Sequence, residues 1–147
     1  MPDKRVRLRG GLTVLEEGTL VENKRVTALT SAELADRYRT LAELIGDVSM
    51  VERFLVQFRE TFSNARAVFA GHVDAGDIES ARNYTHQLKG VSGNLRMNDL
   101  FEQSKVVEDC LRDSGSSFAT CEGPLEELLS LIETEILVIE QYLANSP

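Results

Sequence analysis

The sequence predicts an all-α protein: an antiparallel four-helix bundle with an additional N-terminal helix, preceded by a short extended or hairpin segment. Two observations carry this reading. From residue 30 onward, apolar residues recur at helical spacing in one segment after another, with no convincing strand between them. The breaks between segments are short and marked by Gly, Pro, Asp or Ser, which favours antiparallel neighbours.

Each element has its own signal. Residues 1–29 form an extension without helical periodicity. Val6, Leu8, Leu12 and Val14 alternate around Gly10-Gly11, the pattern of a hairpin that is either docked or poorly ordered. The bundle is expected over residues 30–147. Thr30-Ser31-Ala32-Glu33 has the form of a capping box, followed by Leu34, Tyr38, Leu41 and Ile45 up to a stop at Gly46.

A second helix from about Ser49 keeps Met50, Val51, Phe54, Leu55, Phe58, Phe62, Ala65, Val68 and Phe69 on one stripe, expected in the core. Asp74 to Asp77 is a turn, with Asp77 capping a third helix. A fourth helix runs from near Asn98 to Asp113 with Leu100, Phe101, Ser104, Val107 and Leu111. A fifth opens at Gly123-Pro124, with Leu125, Leu128, Leu129, Ile132, Ile136, Ile139 and Leu143 as its seam. Glu126, Glu127, Glu133, Glu135 and Glu140 are expected on its solvated face.

Bulk composition narrows the function. The 147 residues suit one domain with an appendage, and 42% hydrophobic with 27% charged residues is ordinary for a globular chain. A net charge of −8 argues against a nucleic-acid partner. Residues 1–29 hold six basic and four acidic residues, so they carry +2 and leave −10 for the remainder. No apolar run reaches the roughly 18 residues of a membrane span, and the N-terminus has charges where a signal peptide is apolar, so a cytoplasmic protein is expected. Cys110 and Cys121 are too few and too unpatterned for a zinc site or disulfide framework, and are read as reduced thiols. No metal, cofactor or small-molecule substrate is expected, and no nucleotide-binding glycine loop is present.

The third helix carries the chemistry. It holds Gly90 and Gly93 within a helical pattern, each costing about 1 kcal/mol relative to alanine. Ile78, Ala81, Thr85, Leu88, Ser92 and Leu95 share the sector that faces the core. On the opposite side Arg82, His86, Lys89, Gly90 and Gly93 fall together, at offsets of −4, +3, +4 and +7 from His86. On this reading the imidazole stands on a ridge with cations beside it and no side chain along part of its flank. That is an arrangement for access by another protein. An ordinary imidazole, with a pKa of about 6.5, is neutral enough at cellular pH to act as a nucleophile. Lys89 is placed to offset phosphate charge, with Arg82 assisting. Taken without the glycines, a surface His beside a Lys would be a solvated residue with no role.

His86-Gln87-Leu88-Lys89-Gly90 resembles the H-x-L-K-G core of the histidine phosphotransfer (HPt) family, with Gly93, Leu95 and Leu100 in keeping with the surrounding pattern. Upstream, Leu44-Ile45-Gly46-Asp47 and Phe54-Leu55-x-x-Phe58 resemble the segment that opens such domains, so the resemblance covers roughly residues 31–145. It implies a phosphocarrier and not an enzyme. His86 would be the phospho-acceptor, Lys89 the charge partner and Gly90 the clearance residue. A receiver domain of a response regulator and a hybrid histidine kinase would be the partners, the metal and catalytic carboxylates coming from them. Thr85 stands where alanine commonly precedes the His, and Arg96 where a further glycine is frequent, which bears on partner choice.

Two other functions fit part of the pattern. A helical adaptor would dock a response regulator or kinase without carrying phosphate. A phosphatase would need an amide aimed at a partner's phospho-aspartate, and Gln87, the nearest candidate, lies about 100° around the helix from His86. His72 is read as a capping or solvated residue, since no H-x-x-x-H spacing supports a metal site.

Overall fold

The computed structural model describes residues 36–113 and 117–145, which fall in two units, residues 1–37 and 38–147. The hairpin expected around Gly10-Gly11 and the capping box from Thr30 to Glu33 lie outside the described residues. Among those described, no strand occurs, and no helix is long and apolar enough to cross a membrane. Among its described residues the second unit is built from helices alone: α1 over residues 38–45, α2 (Val48–Phe62), α3 (Ala65–Ala75), α4 (Ile78–Asn94), α5 (Asn98–Asp113), a 3-10 turn (Ala119–Cys121) and α6 (Glu122–Ala144).

Local chemistry sets the ends. Gly46 and Gly76 take φ of 79° and 66°, the left-handed conformation that closes α1 and α3 and that glycine adopts without a Cβ penalty. The carboxylates of Asp47 and Asp77 then accept from the backbone N–H groups of Met50 and Ser80, capping α2 and α4.

The long second helix expected from the sequence is two segments. Its apolar stripe does continue, with Phe58, Phe62, Ala65 and Phe69 all buried. A turn at Ser63-Asn64 interrupts the backbone, however, at two successive residues of lower helix propensity. Two members of the predicted seams are also exposed: Phe54 of α2 is 42% exposed, and Ile45 at the end of α1 is exposed beside Leu44 and Val48.

The core is made by Leu55, Phe58, Phe62, Phe69, Leu88, Leu100, Leu111, Leu128 and Ile132, all nearly or wholly removed from water. Burying each such side chain contributes about 2 kcal/mol. Phe62 and Phe69 both pack against Tyr84 in T-shaped pairs, joining α2 and α3 to α4.

The acidic face expected on α6 is divided. Glu126 and Glu133 are exposed but both accept from the guanidinium of Arg66, which holds α3 beside α6. Glu135 is buried and accepts the hydroxyl of Tyr38 from α1, because it occupies the seam three residues after Ile132 and four before Ile139.

Cys110 and Cys121 are paired as a disulfide, with Cα atoms 5.8 Å apart, which corrects the reading of two free thiols. The 3-10 turn before α6 brings Cys121 back against α5, a juxtaposition that spacing along the chain does not reveal.

Candidate functional site

The site is built on the antiparallel contact of α4 with α5. Gly93 stands opposite Phe101, and one to two turns along, His86 and Lys89 stand opposite Glu108. On α4 the side facing the core is the predicted one: Ala81, Thr85, Leu88, Ser92 and Leu95 are buried, and Ile78 at its start is half-buried. The Thr85 hydroxyl donates to the carbonyl of Ala81 at 2.8 Å, so this residue is part of the packing behind His86 and does not reach the surface.

His86 projects from the other side, its side chain 68% exposed. Its Nδ1 lies 2.9 Å from Oε2 of Glu108, and Nζ of Lys89 forms an ion pair with Oε1 of the same carboxylate at 2.7 Å. Glu108 is thus the centre of a three-residue network, and its side chain is only 11% exposed. Burial alone would push its carboxyl up. The hydrogen bonds from Lys89 and His86 outweigh that and hold it below the ordinary carboxylate range, so it is an anion at neutral pH.

An anionic acceptor at Nδ1 selects the tautomer with the proton on Nδ1. The lone pair is then on Nε2, the ring nitrogen left without a protein partner among the described residues. The arrangement is a nucleophilic nitrogen held in a fixed orientation at the surface, with a carboxylate behind the ring to offset positive charge on it.

The remaining candidates separate. Around Gly90 an added Cβ would meet nothing within 4 Å, so the surface there is open. At Gly93 the same Cβ would come within 3.1 Å of the Phe101 ring, so this glycine has a packing reason in the α4–α5 contact. Arg82 is half-buried, and its Nε is buried with no hydrogen-bond partner among the described residues. Gln87 does not share the His86 ridge. It lines a neighbouring groove of about 360 Å³ with Ile45, Phe54, Gln57, Val91 and Asn94, between α4 and the α1–α2 corner.

Glu108 was not among the residues nominated from the sequence. Its signal was an acidic residue inside the apolar stripe of α5, next to Val107 and between Ser104 and Leu111, all three of which are buried.

The family model described as Hpt domain matches residues 49–142, well over half of the chain. The chain belongs to the Hpt domain family. No curated protein and no solved structure matches it significantly. Membership brings a role in histidine phosphotransfer within two-component signalling, and the matched region of this Hpt domain contains His86, Lys89 and Glu108.

Proposed function

We propose that this Hpt domain is a cytoplasmic phosphocarrier in which His86 accepts a phosphoryl group from the aspartate of one receiver domain and passes it to another. The observation that carries the reading is the hydrogen bond between His86 Nδ1 and Glu108, which leaves Nε2 as the free nucleophile on an exposed ridge. The Nε2 lone pair forms the bond to phosphorus as the phosphorus–oxygen bond to aspartate breaks, and the carboxylate leaves. The ring keeps its proton on Nδ1 and becomes cationic, and the adjacent Glu108 carboxylate stabilises that charge. Reversal of the same step donates the group onward.

Lys89 has a double task, since it is already tied to Glu108 at 2.7 Å while 26% of its side chain remains exposed towards an incoming phosphate. Arg82, one turn before His86, is the second cation on the ridge. The divalent metal and the acceptor carboxylate belong to the partner.

We read α4, α5, α6 and the interrupted α2–α3 pair as an antiparallel four-helix bundle, with α1 as its cover. The exposed Leu44, Ile45, Val48 and Phe54, together with the groove that reaches Gln87, form an apolar surface beside His86. This surface suits the receiver domain or the hybrid histidine kinase that must bring its aspartate within bonding distance.

Incubation with a phosphorylated receiver domain and magnesium should label the protein in an acid-labile, base-stable form, and His86→Gln should take no label. Unlabelled protein that still binds the receiver, with binding unchanged in His86→Ala, would replace this reading by that of an adaptor.

A further inference from the structure

The disulfide stands close to the phosphotransfer network. Cys110 is two residues after Glu108 on α5, and residues two apart on a helix point about 200° from one another. Glu108 therefore reaches α4 while Cys110 reaches the turn that starts α6. One short stretch of backbone is held from both sides, by the Glu108 contacts with His86 and Lys89 and by the covalent bond to Cys121. Gln103 adds a hydrogen bond of 2.9 Å from α5 to the carbonyl of Pro124 on α6, about two turns earlier. No other covalent tie joins α5 to α6 among the described residues.

The two sulfurs differ in access. Cys121 is fully buried, whereas Cys110 is half-buried and can be approached from solvent. In a compartment whose thiols are kept reduced, a bridge with a reachable sulfur exchanges with the thiol pool, and such bridges are commonly sensing devices.

We infer that Cys110 and Cys121 are a redox-active pair whose substrates are low-molecular-weight thiols and their disulfides, and whose state governs how firmly Glu108 holds His86. The consequence for phosphoryl transfer rests on the phosphocarrier reading above. In the reductive direction an external thiolate attacks Sγ of Cys110, the Sγ–Sγ bond breaks, and Cys121 leaves as a thiolate and takes up a proton. A second external thiolate attacks the outer sulfur of the mixed disulfide. Cys110 is released and protonated, and one external disulfide is formed, so two electrons have passed to the protein. The oxidative direction is the reverse, with the external disulfide as oxidant. Oxidised protein keeps the end of α5 fixed and Glu108 on Nδ1. Reduced protein loses the covalent tie at that end, and the Glu108–His86 contact is populated for less of the time.

The test poises the whole chain in reduced or oxidised glutathione, counts thiols by alkylation and mass, and records ring ¹⁵N spectra of His86 alongside the rate of labelling by a phosphorylated receiver. The expected result is two thiols that appear together on reduction, a shift of the His86 ring signals, and labelling slower by roughly threefold to tenfold, as for partial loss of a charge-assisted hydrogen bond. Cys110→Ser with Cys121→Ser should match reduced protein in either buffer, and Cys110→Ser alone, at the accessible end, serves if the double variant does not fold. A bridge that never forms, or His86 spectra identical in both states, would overturn the inference. Rates that differ without any change at the ring would overturn the route through Glu108. A redox response of the ring in protein that takes no phosphate in either state would support the coupling and remove the carrier reading instead.

Discussion

Glu108 Oε2 lies 2.9 Å from His86 Nδ1, and its other oxygen lies 2.7 Å from Nζ of Lys89. One carboxylate thus fixes the tautomer of the exposed ring and restrains the neighbouring cation. A charge-assisted hydrogen bond of this kind is worth about 1.5–3 kcal/mol, so Glu108→Ala should slow labelling of His86 by roughly tenfold to a hundredfold. Glu108→Asp, which keeps the charge on a shorter stem, should recover part of the rate. Affinity for the receiver should change little, because Glu108 lies beneath the ridge. A loss confined to affinity, with the labelling rate at saturation intact, would contradict a positioning role for Glu108.

The same contacts give stability a pH dependence. The Glu108 carboxyl is lowered from 4.5 on folding, burial being outweighed by the bonds from Lys89 and His86. A group lowered in the folded state adds stability that is fully present above its unfolded value and disappears as pH falls through the folded one. Glu108→Gln should therefore cost roughly 1–2 kcal/mol at pH 7 and much less at an acid pH below the folded-state value, where the native side chain is itself neutral. Urea unfolding of both proteins at the two pH values measures the gap.

The ridge was legible because it is local. Offsets of −4, +3 and +4 along one helix place Arg82, Lys89 and Gly90 beside His86 whatever the helix packs against. Glu108 was not, because it joins the site only through the pairing of α4 with α5, which no spacing within α4 encodes. A physical clue did exist in the acidic residue within the α5 stripe, and Glu135 gave the same clue in α6, where both buried carboxylates occupy seam positions. The stripe from Met50 to Phe69 correctly marked most of one buried face, but continuity of a face does not require continuity of a helix, and Ser63-Asn64 breaks the backbone. The exposure of Phe54 and the meeting of Cys110 with Cys121 depend on how helices are arranged in space, which periodicity leaves undetermined.

The two glycines of α4 should part company under mutation. Alanine gains about 1 kcal/mol over glycine in a helix interior, and at Gly90 nothing opposes that gain, so Gly90→Ala should stabilise by about that amount. At Gly93 the new methyl group would press on Phe101 at 3.1 Å, and crowding of this kind costs about 1–3 kcal/mol, so Gly93→Ala should be neutral or destabilising. The functional order should be the reverse at the open position. Gly90→Leu should keep the fold and slow receiver-dependent labelling, because it fills the clearance beside His86. Denaturant midpoints and labelling rates on the same samples separate the two effects.

Arg96 has φ of 60° at the turn between α4 and α5, where its amide donates to the carbonyl of Gly93 and the amide of Met97 donates to that of Ser92. A residue with a Cβ in this left-handed region costs about 1–2 kcal/mol, whereas glycine adopts it freely. That is the physical reason why a glycine suits this place. The larger entropy of glycine in the unfolded chain returns about 0.5–1 kcal/mol of the gain. Arg96→Gly should therefore stabilise by about 0.5–1 kcal/mol, and Arg96→Val, β-branched and still less tolerant of positive φ, should destabilise by at least as much. Urea midpoints for the two variants should bracket the parent chain. An Arg96→Gly protein less stable than the parent would mean that the guanidinium makes a stabilising contact large enough to offset its backbone strain.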